Sequence, residues 1–262
     1  AGYRAMDMNF HDMSNPGMPM SLDSWQDWTE HIKEYACSLD IEFSQSHSYF
    51  YHFCSPRITD RDWREELIRR SFIGSSVLGI PWMVMHTSTY KENGYSYHRS
   101  KEMNLEQFKR WLELAHRYNV GIAIENLYDP IDVFYRTYSC APEELIELVD
   151  ELNDPLVGIC WDTGHGNLCA NDQNESLKAV GKRLKAVHIN DNDKLKDRHL
   201  LPFYGCIEWD EIMKTLKEID YKGDFTFEIT PFLDRVPTAA RQKGLEHTVE
   251  VGNYLLGLIE EV

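Results

Sequence analysis

Short apolar runs alternate with amphipathic stretches along the chain. The apolar runs begin near residues 5, 41, 82, 121, 156, 185 and 225, and they read as strands separated by roughly 30 to 40 residues. Between them, apolar residues recur at helical spacing, as in the helices predicted at 24–39, 60–79, 142–152 and 241–258. Asn104, with Gln107 three residues later, resembles the start of a further helix. Each interval is therefore one strand followed by one helix.

This alternation predicts an α/β fold in which a parallel sheet closes into a (β/α)8 TIM barrel. Seven units are found, whereas eight strands close such a barrel. The first strand and helix are therefore expected to be missing ahead of Ala1 or atypical at the N-terminus. An open doubly wound sheet is the alternative, but it would not place chemistry on so many strands. We expect one domain over residues 1–262.

The run from Val157 to Asn167 has the most informative pattern. A buried strand ends in Asp162, and His165 follows between Gly164 and Gly166. The glycines allow a sharp turn and a close approach of the backbone to a ligand. Taken alone, this pattern fits a metal site, an acid–base pair or a capped turn.

The same design recurs at other predicted strand ends. A single polar residue there is usually a hydrogen-bonded structural group, but six ionisable residues in register would be costly to bury without a shared cation. Their oxygen and nitrogen donors suit a divalent metal, with Mn²⁺ preferred and Mg²⁺, Co²⁺ or Zn²⁺ as alternatives. The six residues are His47, His86, Glu125, Asp162, His188 and Glu228.

Composition narrows the class of protein. The net charge of −16 disfavours non-specific binding to nucleic acid or to an anionic membrane. We find neither an apolar run long enough to span a membrane nor a signal peptide, so a cytoplasmic protein is expected. The six cysteines form no CxxC pair and are expected to be reduced. Assembly as a homodimer or a homotetramer stays open.

Five motifs resemble those of the xylose isomerase-like barrel superfamily, which groups sugar isomerases and epimerases with the endonuclease IV type of apurinic endonuclease. They occur in the order found in that family and span nearly the whole chain. The motifs are Ile122-Ala-Ile-Glu-Asn126, Trp161-Asp-Thr-Gly-His165, Val187-His-Ile-Asn-Asp191, Asp197-Arg-His199 with Gly205-Cys-Ile-Glu-Trp209, and Phe227-Glu228.

The resemblance implies that one divalent metal binds to four of these residues, as in the ketose 3-epimerases. Those four are Glu125, Asp162, His188 and Glu228. Glu125 and Glu228 would also act as the base and the acid, while the groups expected to contact substrate are His47, His86, His165, Arg198 and His199. The endonuclease branch implies a second metal at His47 and His86, and a third at His165, Asp197 and His199.

This sequence departs from the family pattern in one loop. The family has a Pro-Gly-x-Gly turn there, whereas here Phe203 and Tyr204 follow Pro202. Phe203 cannot take a positive φ as cheaply as glycine, so we expect a reshaped loop. The remaining histidines, His11 among them, are expected to be surface or packing residues. Five aromatic residues are expected to lie on the core stripes of their helices, namely Trp25, Trp28, Tyr35, Trp63 and Trp111.

The sequence favours a metal-dependent sugar isomerase or ketose 3-epimerase that acts by proton abstraction beside a carbonyl. The expected substrate is an unphosphorylated sugar or polyol, because the loop at 229–235 offers little to bind a phosphate. A three-zinc endonuclease and a cyclitol dehydratase or sugar-binding barrel are the alternatives.

Overall fold

Six parallel strands form one sheet in the computed structural model, and their order in the sheet follows their order in the chain. The structure describes residues 1–129, 136–169 and 172–260. The strands are β1 (Ala5–Asn9), β2 (Glu42–His47), β3 (Trp82–Met85), β4 (Gly121–Glu125), β5 (Val157–Asp162) and β6 (Leu184–His188). The helices are α1 (Phe10–Met13), α2 (Trp25–Ser38), α3 (Arg61–Leu78), α4 (Tyr97–Tyr118), α5 (Pro142–Leu152), α6 (Thr163–Leu168), α7 (Gln173–Val180), α8 (Trp209–Glu218) and α9 (Thr238–Glu260). Helical crossovers between successive parallel strands confirm the predicted α/β class.

The sheet is curled, so strands far apart in its order meet across the interior. The Gln45 side-chain amide of β2 donates to the Val187 carbonyl of β6 at 3.3 Å. Beyond β6, Ile189 bridges in parallel to Phe227. The strand predicted at 225–228 is thus one bridge rather than a ladder, yet it brings Glu228 to the same edge as the other strand ends. This curled sheet with helices outside it has the predicted barrel architecture.

Alternate residues of the central strands face opposite sides, as the pleat requires. Small side chains of four adjacent strands pack together inside the barrel, namely Val84, Ala123, Cys160 and Ala186. The residues between them, such as Ile122, Ile124 and Trp161, pack outward against the helices. The residue two positions after each of these four small residues lies on the same side of its strand. These residues are His86, Glu125, Asp162 and His188. The strand pleat therefore directs these four residues toward the barrel axis.

The start of α4 differs from its predicted position. The helix begins at Tyr97, and the Ser96 side chain accepts the capping hydrogen bond from Arg99 N. Asn104 lies in the helix interior, where its amide bonds to both the N–H and the C=O of Ser88. The prediction was wrong because Asn104 stabilises the loop after β3 and does not cap a helix.

Two aromatic side chains predicted to lie on helix core stripes are instead exposed. Trp63 is 42% exposed, and its ring lies under the Arg70 guanidinium at 5.0 Å. Tyr35 is 59% exposed, whereas Trp25 and Trp111 are buried as predicted. Within the described residues, no helix is both long enough and apolar enough to cross a membrane.

The loop after β6 is organised around the buried carboxylate of Asp191. This carboxylate accepts hydrogen bonds from the backbone N–H groups of Phe203, Cys206 and Ile207 and from the Trp209 indole. Phe203 takes a φ of 72°, the left-handed backbone that the sequence analysis expected it to avoid. The hydrogen bonds to Asp191 offset a strain of about 1–3 kcal/mol.

Asp191→Ala should destabilise the fold by about 3–5 kcal/mol, because several buried donors lose their acceptor together. Thermal melting would show this as a fall in Tm of about 10 °C or more. Asp193→Ala, two residues further along the same loop, is the matched control and should melt close to the wild type. An Asp191→Ala protein that melts within a degree of the wild type would contradict the role assigned to this carboxylate.

Candidate metal centre

The nine strand-end and loop side chains that the sequence singled out converge into three groups. Within each group, ligand atoms from the different residues lie within 4.8 Å of one another. The first group is His47, His86 and Glu125; the second is Glu125, Asp162, His188 and Glu228; the third is His165, Asp197 and His199. Because Glu125 belongs to two groups, the first and second form one continuous cluster.

The second group is the most deeply placed of the three. His188 Nδ1 lies 3.2 Å from Glu125 Oε1 and 3.2 Å from Glu228 Oε2, so the two glutamates flank one imidazole. Asp162 Oδ2 lies 4.0 Å from the same nitrogen. Three carboxylates and one imidazole match the donors that Mn²⁺ accepts.

The first and third groups have a different donor set, with two imidazoles and one carboxylate each. His86 Nε2 lies 2.9 Å from Glu125 Oε2 and 3.0 Å from His47 Nε2. In the third group, Asp197 Oδ2 lies 3.5 Å from His165 Nε2 and 3.2 Å from His199 Nε2. Imidazole-rich sets of this kind suit Zn²⁺.

Backbone carbonyls hold three of the imidazoles in an orientation that suits metal binding. His47 Nδ1 bonds to Ser48 O at 3.0 Å, His165 Nδ1 to Asn126 O at 2.8 Å, and His199 Nδ1 to Glu228 O at 2.8 Å. A ring nitrogen that donates to a carbonyl leaves the other nitrogen as the ligand. The residues present therefore fit a divalent cation in their orientation as well as in their number.

Asp162 shows how the local sequence builds the site. Its Oδ1 accepts the N–H of His165 at 2.6 Å and so caps the short helix α6, which the sequence analysis had not predicted. Its Oδ2 accepts from the Asn190 amide at 2.7 Å. A Cβ at Gly164 would lie 1.9 Å from Asn190 Oδ1, so the turn requires glycine here.

Burial and neighbouring charges give the two glutamates opposite proton affinities. Burial raises the pKa of Glu228 to about 7, and His188 offsets this only in part. Burial also opposes ionisation of Glu125, but the imidazoles of His188 and His86 hold its pKa well below the usual range. When the pKa values of two carboxyl groups differ in this way, one group can act as the acid and the other as the base.

A cavity of about 1010 Å³ opens above the three groups. This volume lies at the upper end of small-molecule sites, so a monosaccharide would fit with room to spare. Its cationic side chains are Arg57 and Lys91, whereas Asp12, Glu92 and the metal-group carboxylates give its walls an acidic character. Arg198 lies outside the cavity lining and pairs with Asp193 at 2.8 Å.

Two residues at this end of the barrel were not predicted from the sequence to belong to the site. His11 lines the cavity and stacks on Phe50 at 3.8 Å, and burial together with His47 lowers its pKa to about 4. Asp7 faces the interior beside Gln45, with its Oδ2 buried and lacking a hydrogen-bond partner, 3.8 Å from His188 Nε2. The signal for Asp7 was present: a carboxylate in the middle of an apolar strand.

Asp7→Asn is expected to weaken divalent-metal binding by about 10- to 100-fold, because a carboxylate behind a ligating imidazole orients it and raises its basicity. Calorimetric titration with Mn²⁺ would measure the change. Asp12→Asn, at the cavity wall and outside the three groups, is the control and should bind as the wild type does. Equal affinity for Asp7→Asn and the wild type would exclude this role for Asp7.

Curated relatives of the chain have several assigned activities. It is 30% identical over 186 residues to an uncharacterized protein, y4fM, of Sinorhizobium fredii, covering 68% of this chain and 57% of the relative. It is 30% identical over 114 residues to D-psicose 3-epimerase of Enterocloster bolteae, covering 44% and 34%. A probable endonuclease 4 of Mycoplasma mycoides is 26% identical over 178 residues, covering 60% and 56%. The chain thus spans less than two thirds of the length of each.

Solved structures and family membership agree on the architecture. The crystal structure of a D-tagatose 3-epimerase-like protein superposes with a TM-score of 0.78 at 22% identity, covering all of this chain and 91% of the other. Residues 1–250 match the family described as xylose isomerase-like TIM barrel. The match covers most of the chain and confirms the family that the five motifs indicated. This protein is therefore a member of the xylose isomerase-like TIM barrel family.

Proposed function

We propose that this protein is a divalent-metal-dependent isomerase or 3-epimerase of an unphosphorylated ketose or related polyol. The observation that carries the proposal is the second ligand group, in which Glu125 and Glu228 flank His188 at the floor of a cavity large enough for a sugar. Similarity to D-psicose 3-epimerase supports the same reaction class. The cytoplasmic location and the homo-oligomeric state stay predictions from the sequence.

Glu125, Asp162, His188 and Glu228 would hold the cation, with Mn²⁺ favoured by the three carboxylates. When bound, it supplies Lewis-acid polarisation of a carbonyl and its neighbouring hydroxyl. One glutamate removes the proton from the carbon beside the carbonyl, and the C–H electron pair passes into an enediolate. The other returns a proton, to the opposite face of that carbon for an epimer or to the adjacent carbon for an isomer.

His165 and His199 line the same cavity as Glu125 and Glu228, so their side chains can bond to substrate hydroxyls. Such bonds would fix which carbon faces the two carboxylates. We therefore assign them to substrate orientation. The walls are poor in cations, and the loop after Glu228 forms a short 3-10 helix from Thr230 to Leu233 that contains no lysine or arginine. Both features support an unphosphorylated substrate.

A second candidate function is a phosphodiesterase with three metal ions. The specific observation that favours it is the separation of nine ligands into three groups, together with similarity to endonuclease 4. The charge distribution opposes it, because the acidic cavity wall and the net charge of −16 would repel a DNA backbone. We place it second for that reason.

Metal content and product analysis together distinguish the two candidates. Purified protein would be assayed for bound metal by mass spectrometry, then incubated with a panel of ketoses and inososes and, separately, with an abasic-site oligonucleotide. Conversion of a ketose that depends on Mn²⁺ or Co²⁺ supports the first proposal. Three zinc ions per chain, with strand cleavage at the abasic site and no sugar conversion, would support the second.

A further inference from the structure

Two cysteines meet at the edge of the site, away from the ligand groups. The Sγ atoms of Cys140 and Cys169 lie 2.9 Å apart, and Cys169 Sγ also lies 3.6 Å from the Leu127 carbonyl. Cys140 lies just before α5, whereas Cys169 directly follows α6. No other pair of thiols is in contact among the residues that the structure describes.

The separation of the two sulfurs is close to that of a covalent bond. A disulfide has an S–S length of about 2.05 Å, so less than 1 Å of closure is required. Both residues are partly accessible to solvent, in contrast to the buried Cys54 and Cys160. Small-molecule oxidants can therefore reach this pair, and the side chains already point toward each other.

We propose that Cys140 and Cys169 form an oxidisable dithiol, a modification site that links two loops of the barrel mouth. The oxidant is a low-molecular-weight disulfide such as oxidised glutathione. One cysteine thiolate attacks a sulfur of that disulfide, forming a mixed disulfide and releasing the first small thiol. The second cysteine attacks the protein sulfur and releases the other thiol. Two electrons and two protons pass from the protein to the small molecule.

The bond would enclose residues 140–169, a ring that contains α5, β5 and α6 and therefore carries Asp162 and His165. Ser139, next to Cys140, bonds to the Glu125 carbonyl at 3.3 Å and anchors the same loop to the end of β4. Cross-linking a loop of this length restricts the unfolded chain. We expect the oxidised protein to melt about 5–10 °C above the reduced protein.

The test is thiol counting and intact mass after equilibration with oxidised glutathione, carried out both with and without removal of bound metal by EDTA. Wild-type protein should lose two of its six titratable thiols and about 2 Da of mass, with a Cys140–Cys169 cross-linked peptide after digestion. Cys140→Ser and Cys169→Ser should each lack the cross-link and accumulate a glutathione adduct on the remaining partner. Cys37→Ser, which removes an exposed cysteine, should still form the cross-link.

Several results would overturn the proposal. One is a wild-type protein that keeps all six thiols in denaturant after oxidation. Another is a cross-link that involves Cys37 or Cys206 in place of the pair. A third is a pair of thiols that is missing from the thiol count without EDTA and is recovered after EDTA treatment. That result would identify the two cysteines as ligands of a soft metal. The wild-type measurements do not require any variant to fold.

Discussion

Glu125→Gln and Glu228→Gln are each expected to lower turnover by about 10²- to 10⁴-fold, equivalent to roughly 3–5 kcal/mol of transition-state stabilisation. Each glutamate has two roles in the proposed mechanism, as a ligand and as an acid or base. Glutamine keeps the shape of the side chain and one carbonyl oxygen, but it cannot accept the substrate proton. Steady-state kinetics at saturating Mn²⁺ would measure the loss.

Excess metal separates the two roles of the glutamates. A defect in metal binding alone should disappear as Mn²⁺ saturates the site, whereas loss of the acid or base should persist. Glu92→Gln, the same change at the cavity wall outside the three groups, is the control and should turn over as the wild type does. If both variants recovered full activity in excess Mn²⁺, the glutamates would be ligands only. The proton-transfer roles would then pass to His165 or His199.

Asp162→Ala is expected to lower Mn²⁺ affinity by about 100-fold or more and also to destabilise the fold. The change removes a ligand, the cap of α6 and the partner of the Asn190 amide, which is buried. Loss of the cap costs about 1 kcal/mol, and a buried amide left without its acceptor costs about 1–3 kcal/mol. Calorimetry and thermal melting report the two effects separately.

Two further variants separate the loss of metal affinity at Asp162 from the loss of stability. Asp162→Asn keeps an oxygen for the helix cap but places an NH2 group against the Asn190 amide, so it should recover only the cap's share of the stability, about 1 kcal/mol, while still losing metal affinity. Asp172→Ala removes the cap of α7, where the aspartate accepts from Asn174 N and Glu175 N and belongs to none of the ligand groups. It should lower Tm slightly and leave metal binding intact. An Asp162→Ala protein that binds Mn²⁺ with wild-type affinity would exclude Asp162 from the centre.

The strands and their terminal ligands could be predicted because one rule governs both. A buried parallel strand is a continuous apolar run, and it stops where the pleat directs an ionisable side chain to the open end of the barrel. Glu125, Asp162 and His188 follow this rule, so position along the chain was sufficient to find them. The resemblance had already divided the nine candidates among three metals, and the structure adds that Glu125 also lies with His47 and His86.

The errors occurred where tertiary contacts decide the role of a residue. Asn104 has the spacing of a helix cap, but its side-chain amide forms hydrogen bonds with the backbone of Ser88, in the loop after β3. Phe203 accepts an unfavourable φ because Asp191 binds the loop around it. Asp7 is aligned with the site by its register with β2, and the register of parallel strands cannot be read from one strand alone.

Exchange of substrate hydrogen with solvent reports proton abstraction by the two glutamates without depending on the identity of the product. A converted ketose would be incubated in deuterated water with Mn²⁺-loaded enzyme and followed by proton NMR. We expect deuterium to enter at a carbon next to the carbonyl, to stop entering when metal is chelated, and to enter far more slowly in Glu125→Gln or Glu228→Gln. Conversion of the sugar without any solvent deuterium at that carbon would contradict proton abstraction by the two glutamates.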